Sequence, residues 1–212
     1  MVTRRRRPAE AERTIRNGRA TQPPRSGAGR GAGRIRRFRE RAEAVGAEVV
    51  IAAGPTQARG MIAGIIRETG AATVASAGDA KGYLTAALNA GLVRGPKAED
   101  IAAAGAGVVL AHYGIAETGS LVHLDRSDAD KNAWTLPPVC LAVLEAKTIA
   151  ERLEDVLPAL RRHLADAGGF GQASIVTGPS RTADVENVLQ TGVHGPGRLI
   201  IVLIEGKAVR RR

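Results

Sequence analysis

Aromatic side chains are nearly missing from this chain: two Phe, two Tyr and one Trp make up 2% of 212 residues. Any core must therefore be assembled from Ala, Val, Ile and Leu, a composition that suits a parallel sheet covered by Ala-rich helices. Cysteine is equally scarce. Cys140 stands alone, so the chain closes no internal disulfide and cannot by itself supply the thiolates of an iron–sulfur cluster or a structural zinc site. The histidines are His112, His123, His163 and His194, and none lies at metal-ligand spacing from His194, so no metal is expected. Long apolar runs are lacking too. The window "IAAAGAGVVLA" from Ile101 to Ala111 falls short of the roughly 18 residues a spanning helix needs. The N-terminal arginines are followed by no apolar segment of the secretory kind. A soluble, reducing, cytoplasmic setting without a membrane span is the expectation.

What is present in excess is positive charge, +10 over the whole chain. Its distribution matters more than its size. Residues 1–41 contain 14 Arg against 3 Glu, a net of +11, and the remainder is close to neutral. Residues 1–33 contain Arg, Gly, Pro and Ser but almost no large apolar side chain, and such a segment cannot offset its ordering entropy. They are read as a disordered Arg/Gly-rich tail, residues 34–206 as one domain, and residues 207–212, "KAVRRR", as a short basic C-terminal tail. The N-terminal tail has no aromatic residue for base stacking, and the domain is neutral, so nucleic acid is not expected among the partners.

From Arg34 onward the apolar residues acquire periods. "RIRRFRERAEAV" places Ile35, Phe38 and Ala42 at helical spacing, with Gly46 beyond them as a stop. "AEVVIAA" reads as a strand broken by Gly54-Pro55, and the helix after it is expected to be capped by Thr56. Further strands are expected at 72–76, 107–112, 137–145, 172–177 and 198–204. Helices are expected at 79–90, at 183–190 and along "TIAERLEDVLPALRRHLADAG", the last bent or interrupted by Pro158. "AETGSLVHL" has the look of strand-turn-strand, and "RSDADKN" of a solvated hairpin tip. Helix-linked strands imply right-handed crossovers and a mostly parallel α/β sheet with helices on both faces.

Two stretches carry candidate chemistry. In "TGPSRTADVE" a helix start capped by Ser180 or Thr182 would present free amide N–H groups, Arg181 would add a fork for a carboxylate or phosphate, and Gly178 is counted with them as ligand-binding. In open α/β sheets such a place lies beyond the carboxyl ends of the strands. "YGIAETGSLVHL" places Glu117 beside Thr118, Gly119 and Ser120, where a carboxylate could act as nucleophile or base. His194, held between glycines in "GVHGPG", is a candidate proton carrier. Ordinary readings compete with each: caps for the hydroxyls, a solvated turn for the glutamate, a loop hydrogen bond for the histidine. The expectation that unites them is that the segments around 117, 181 and 194 share one cleft.

Taken together, "IAETGSLV", "LPPVCLAVLEAKTIAERLEDVLPAL" and "TGPSRTADVENVLQTGVHGPGRLIIVLI" closely resemble the LUD domain family, in its lactate utilization protein C and YkgG branch. The resemblance runs from about Arg34 to Gly206 and is most specific in the last block. It implies a three-layer α/β fold similar to the NagB/RpiA/CoA-transferase group. It also implies a part in oxidising L-lactate to pyruvate as an accessory or regulatory subunit, with no cofactor in this chain and iron–sulfur clusters in partner proteins. A small carboxylate or phosphate would be its ligand. The alternative is a stand-alone acyl- or phosphoryl-handling enzyme of CoA-transferase-like fold, with Glu117 as nucleophile or base.

Overall fold

The computed structural model describes residues 28–76, 78–84, 91–92, 97–166, 171–183, 189–191 and 195–206. The chain enters through α1 (Ala28–Ala44), then β1 (Glu48–Ala52), α2 (Pro55–Glu68), β2 (Thr73–Ser76) and a 3-10 helix (Gly78–Tyr83). β3 (Gly91–Leu92), α3 (Ala98–Ala102), β4 (Ala106–Ala111), β5 (Tyr113–Ile115) and β6 (Ser120–Asp125) follow. After them come α4 (Asp128–Thr135), β7 (Val139–Glu145), β8 (Ile149–Ala150), α5 (Leu157–Asp166) and β9 (Gln172–Val176). The chain closes with β10 (Arg181–Ala183), β11 (Leu189–Thr191) and β12 (Arg198–Ile204).

Six strands form the main sheet in the order β1-β12-β7-β4-β2-β3, and every neighbouring pair is parallel. Strands buried on both faces need apolar residues at odd and even positions alike, which explains the uninterrupted "LIIVLI" of β12. Its Leu199, Ile201 and Leu203 join Phe38 and Ala42 of α1 and Trp134 of α4 on one face. Ile200, Val202 and Ile204 join Ala58, Ile62 and Ile66 of α2 on the other. The result is three layers, as the alternation of strands and helices implies.

A second sheet, β8-β5-β6-β9, is mixed: β5 runs parallel to β8 and antiparallel to β6, which runs antiparallel to β9. It lies on the α1 side of the main sheet. Gly114 permits that approach, since a Cβ there would come within 2.8 Å of Leu144 Cδ2 and 3.0 Å of Phe38 Cε2.

Several expectations are corrected. α1 begins at Ala28, six residues inside the stretch read as tail, so Arg30 joins the helix expected from Arg34 onward. The cap of α2 is Gly54, without a side-chain bond, and Pro55 occupies the first turn, so Thr56 lies inside the helix. Ile149–Ala150 is a strand, and α5 starts only at Leu157. Pro158 therefore sits in the first turn, where its missing N–H costs nothing, and does not kink a longer helix. The "RSDADKN" stretch opens α4: Ser127 caps it by accepting from the Asp130 amide, and Asp130 accepts from the Arg126 amide. Residues 181–183 pair with 189–191 as antiparallel strands, so no helix spans 183–190. The 3-10 helix at 78–83 replaces the start of the helix expected at 79–90, and residues 85–90 lie outside the described residues.

Candidate functional site

Three hydroxyls form a row at one end of the small sheet. Thr118 Oγ1 lies 2.6 Å from Ser120 Oγ, which lies 2.7 Å from Thr177 Oγ1. Ser120 is buried, whereas Thr118 and Thr177 are exposed. The row exists because β6 and β9 pair with Leu121 opposite Val176, which brings the residues just outside that pair face to face.

Glycines let this corner sit directly on the C-terminal half of α1. At Gly119, with φ +71°, a Cβ would fall 2.3 Å from the Ala42 amide nitrogen; at Gly178, with φ +69°, it would fall 2.5 Å from the Val45 carbonyl oxygen. Only glycine adopts these backbone angles without strain and leaves that space. Farther along, the guanidinium of Arg181 lies over Gly46, and the Ser180 amide donates to the Pro196 carbonyl at 2.9 Å. Gly195 packs against Ser180 as well.

Gly46 precedes β1 and Pro196 precedes β12, so this corner adjoins the amino ends of the parallel strands. That corrects the expectation of a carboxyl-end crevice. The physical reason is that β9 belongs to the small antiparallel ladder and delivers residues 177–181 toward the opposite end. Thr118, Gly119, Ser120, Gly178, Ser180 and Arg181 thus form one continuous stretch of contacts. Glu117 stands at its margin, exposed, with its carboxylate 3.8 Å from Arg152 Nε and its amide bonded to the Glu151 carbonyl. The Thr182 side chain and His194 lie outside the described residues.

The charges along this edge are uneven. Arg36 pairs with Glu40, Arg37 with Glu151, Arg39 with Glu43, Arg152 with Glu117 and Arg198 with Glu48. The Arg198–Glu48 pair is two-pronged and, chiefly through its hydrogen bond, lowers the Glu48 carboxyl below its ordinary range. Arg41 and Arg181 are exposed and have no carboxylate partner among the described residues. The Arg41 backbone touches the Gly119 turn beside the hydroxyl row, and the Arg181 guanidinium lies over Gly46.

A second polar group lies inside the molecule. Asp125 is fully buried and takes His123 Nδ1 at 2.7 Å on one oxygen and the Ser174 hydroxyl at 2.7 Å on the other. The His123 ring sits edge-on between His112, at 4.9 Å, and Trp134, at 5.3 Å. This group was missed in the sequence, although "HLD" in an alternating strand puts both polar residues on one face. Among the described residues no cluster of His, Cys, Asp or Glu could hold a metal ion. Burial pushes the Cys140 thiol up to about 12, so it offers no thiolate.

His112 Nδ1 accepts the Leu124 amide at 3.2 Å, which places its proton on Nε2. Burial first, then the charges of His123, Arg126 and His163, lower its pKa to about 3. Unfolded, the ring takes its proton near 6.5; between the two values the unfolded chain binds more protons, so acid favours unfolding. Each pH unit below 6.5 should cost up to about 1.4 kcal/mol through this group. Urea titrations between pH 7 and 4 should show His112→Asn losing distinctly less stability than the parent; equal slopes would contradict this assignment.

Fold and edge geometry define a three-layer α/β domain with a hydroxyl-and-arginine corner at the amino ends of its sheet. The chain belongs to the LUD domain family, whose model matches residues 35–204. It is 35% identical over 101 residues to YkgG of Escherichia coli strain K12, covering 47% of this chain and 43% of that protein. It is 33% identical over 104 residues to lactate utilization protein C of Halalkalibacterium halodurans, covering 48% and 44%. The matched stretch thus spans less than half the length of these curated relatives. A DUF162 family protein of Deinococcus radiodurans has the same fold, with a TM-score of 0.63 and 18% identity over 86% of this chain and all of that one. No helix among the described residues is long and apolar enough to cross a membrane.

Proposed function

We propose that this chain serves L-lactate oxidation to pyruvate as an accessory or regulatory subunit, binding a small carboxylate or phosphate beside partner proteins that carry iron–sulfur clusters. Family membership and the name of the lactate utilization relatives support the setting. The observation that carries the ligand is the pair of exposed cations with no carboxylate partner among the described residues, Arg41 and Arg181, on the same corner as the row Thr118, Ser120 and Thr177. An oxyanion there would gain charge-assisted bonds from a guanidinium and a hydroxyl bond from the row. Gly119 and Gly178 leave the backbone close to it, Ser180 and Thr182 are assigned as further donors, and Glu117 and His194 are assigned to proton handling.

Calorimetric titration with L-lactate, pyruvate and inorganic phosphate tests the ligand. Removing one charge-assisted contact costs about 1.5–3 kcal/mol, so Arg181→Ala should weaken binding by roughly tenfold or more. Binding that survives the loss of both arginines would reject the site. Deleting the gene should impair growth on L-lactate, and unimpaired growth would reject the setting.

A further inference from the structure

β9 is an outer strand with little apolar anchoring. None of its five residues is fully buried, and Ile175 is 49% exposed. β12, by contrast, buries six of its seven residues. Beyond the backbone ladder and the partly buried Ala173 and Val176, what ties β9 in place is polar. Thr177 meets Ser120, Ser174 donates to Asp125, and His163 Nε2 reaches the carbonyls of Asp125 and Gln172 at 2.9 and 3.1 Å. The Asp125 carboxylate is itself immobilised, because its other oxygen holds His123 and the His123 ring is wedged between His112 and Trp134.

A buried carboxylate is expensive, and an apolar pair would fill the same volume at lower cost. No turn or helix end here needs it as a cap. The best-attested use of such a group is to fix register, and register is what an exposed outer strand with weak apolar contacts lacks. The strand runs without interruption into Thr177, Gly178, Pro179, Ser180 and Arg181. A displacement of β9 would part Thr177 from Ser120 and lift Arg181 from Gly46 together.

We infer that Asp125 and Ser174 are positioning residues for the anion corner: the buried Asp125 carboxylate, gripped by His123, pins β9 through Ser174 and thereby sets where Thr177 and Arg181 stand. This rests on the reading of the corner as an anion site, but the pin itself can be measured without any ligand.

Hydrogen exchange of the full chain, with titration of L-lactate and inorganic phosphate as probes, separates the two. Ser174→Ala should speed exchange of the amides from 173 to 178 by about tenfold and weaken probe binding by a similar factor, while the melting temperature falls by only about 2–4 °C. Ser174→Thr, which keeps the hydroxyl, should restore both. Arg181→Ala should weaken the probes and leave exchange in β9 as it was. Unchanged exchange in Ser174→Ala overturns the pin. If the parent binds neither probe, the anion site fails, and the exchange comparison still decides whether Ser174 holds the strand.

Discussion

Gly119→Ala should cost the fold about 3 kcal/mol or more. Two penalties combine. An L-residue at φ +71° is strained by roughly 1–2 kcal/mol. The added methyl would also meet α1 backbone, with Ala42 N at 2.3 Å, Arg41 C at 2.5 Å and Ala42 Cα at 2.6 Å, and overpacking against backbone that cannot rotate away typically costs another 1–3 kcal/mol. Because α1 contributes Phe38 and Ala42 to the main core, the strain is not absorbed locally. Gly60→Ala is the matching control: it lies within α2 with nothing inside 4 Å of a Cβ, and should stabilise by about 0.5–1 kcal/mol. Urea unfolding of both variants makes the comparison. Similar midpoints for the two would mean that the corner does not rest on α1.

The second large loss is expected at Asp125. Asp125→Ala strips two buried groups of their partner at once, the His123 ring and the Ser174 hydroxyl. Leaving a buried polar group without its hydrogen-bond partner costs roughly 1–3 kcal/mol, and here two groups are stripped together. Asp125→Asn keeps an acceptor and should lose less. Ser174→Ala removes only a hydroxyl from a half-buried site and should lose about 1 kcal/mol. An ordering of Ala, Asn and then Ser174→Ala in measured stability would follow from the geometry, whereas a near-neutral Asp125→Ala would mean that the network is not the strut it is taken to be.

The large-scale architecture was readable because its cause is local. Strands buried on both faces must be apolar throughout, and "VCLAVLE" and "LIIVLI" have no other reading; the helix faces of Phe38–Ala42 and Ile62–Ile66 follow from spacing. The hairpin at Thr118–Ser120 was legible from the small residues between two apolar runs. What escaped was set by pairing between distant segments. Nothing in "QASIVT" tells that it joins β6 rather than the main sheet, and that choice alone moves Ser180 and Arg181 to the amino ends of β1 and β12. The helix expected after residue 182 failed for a related reason: hydroxyls and acids favour helix starts, but the ladder between 181–183 and 189–191 overrode that preference. α4 was open to a closer reading, since Ser127 followed by Asp130 has the spacing of a helix start. The alternation of His123 and Asp125 likewise signalled one shared face, though not that the face would be closed over by Trp134.

The decisive property of the corner is whether a small oxyanion binds there. Titrating L-lactate and inorganic phosphate into the nitrogen-15-labelled chain and following its amide resonances answers this directly. Shifts concentrated at Thr118–Ser120, Thr177–Arg181 and the end of α1 from Arg41 to Gly46 are the predicted result. Shifts confined instead to the carboxyl ends of β2 and β4, around Ser76 and His112, with the corner silent, would contradict it.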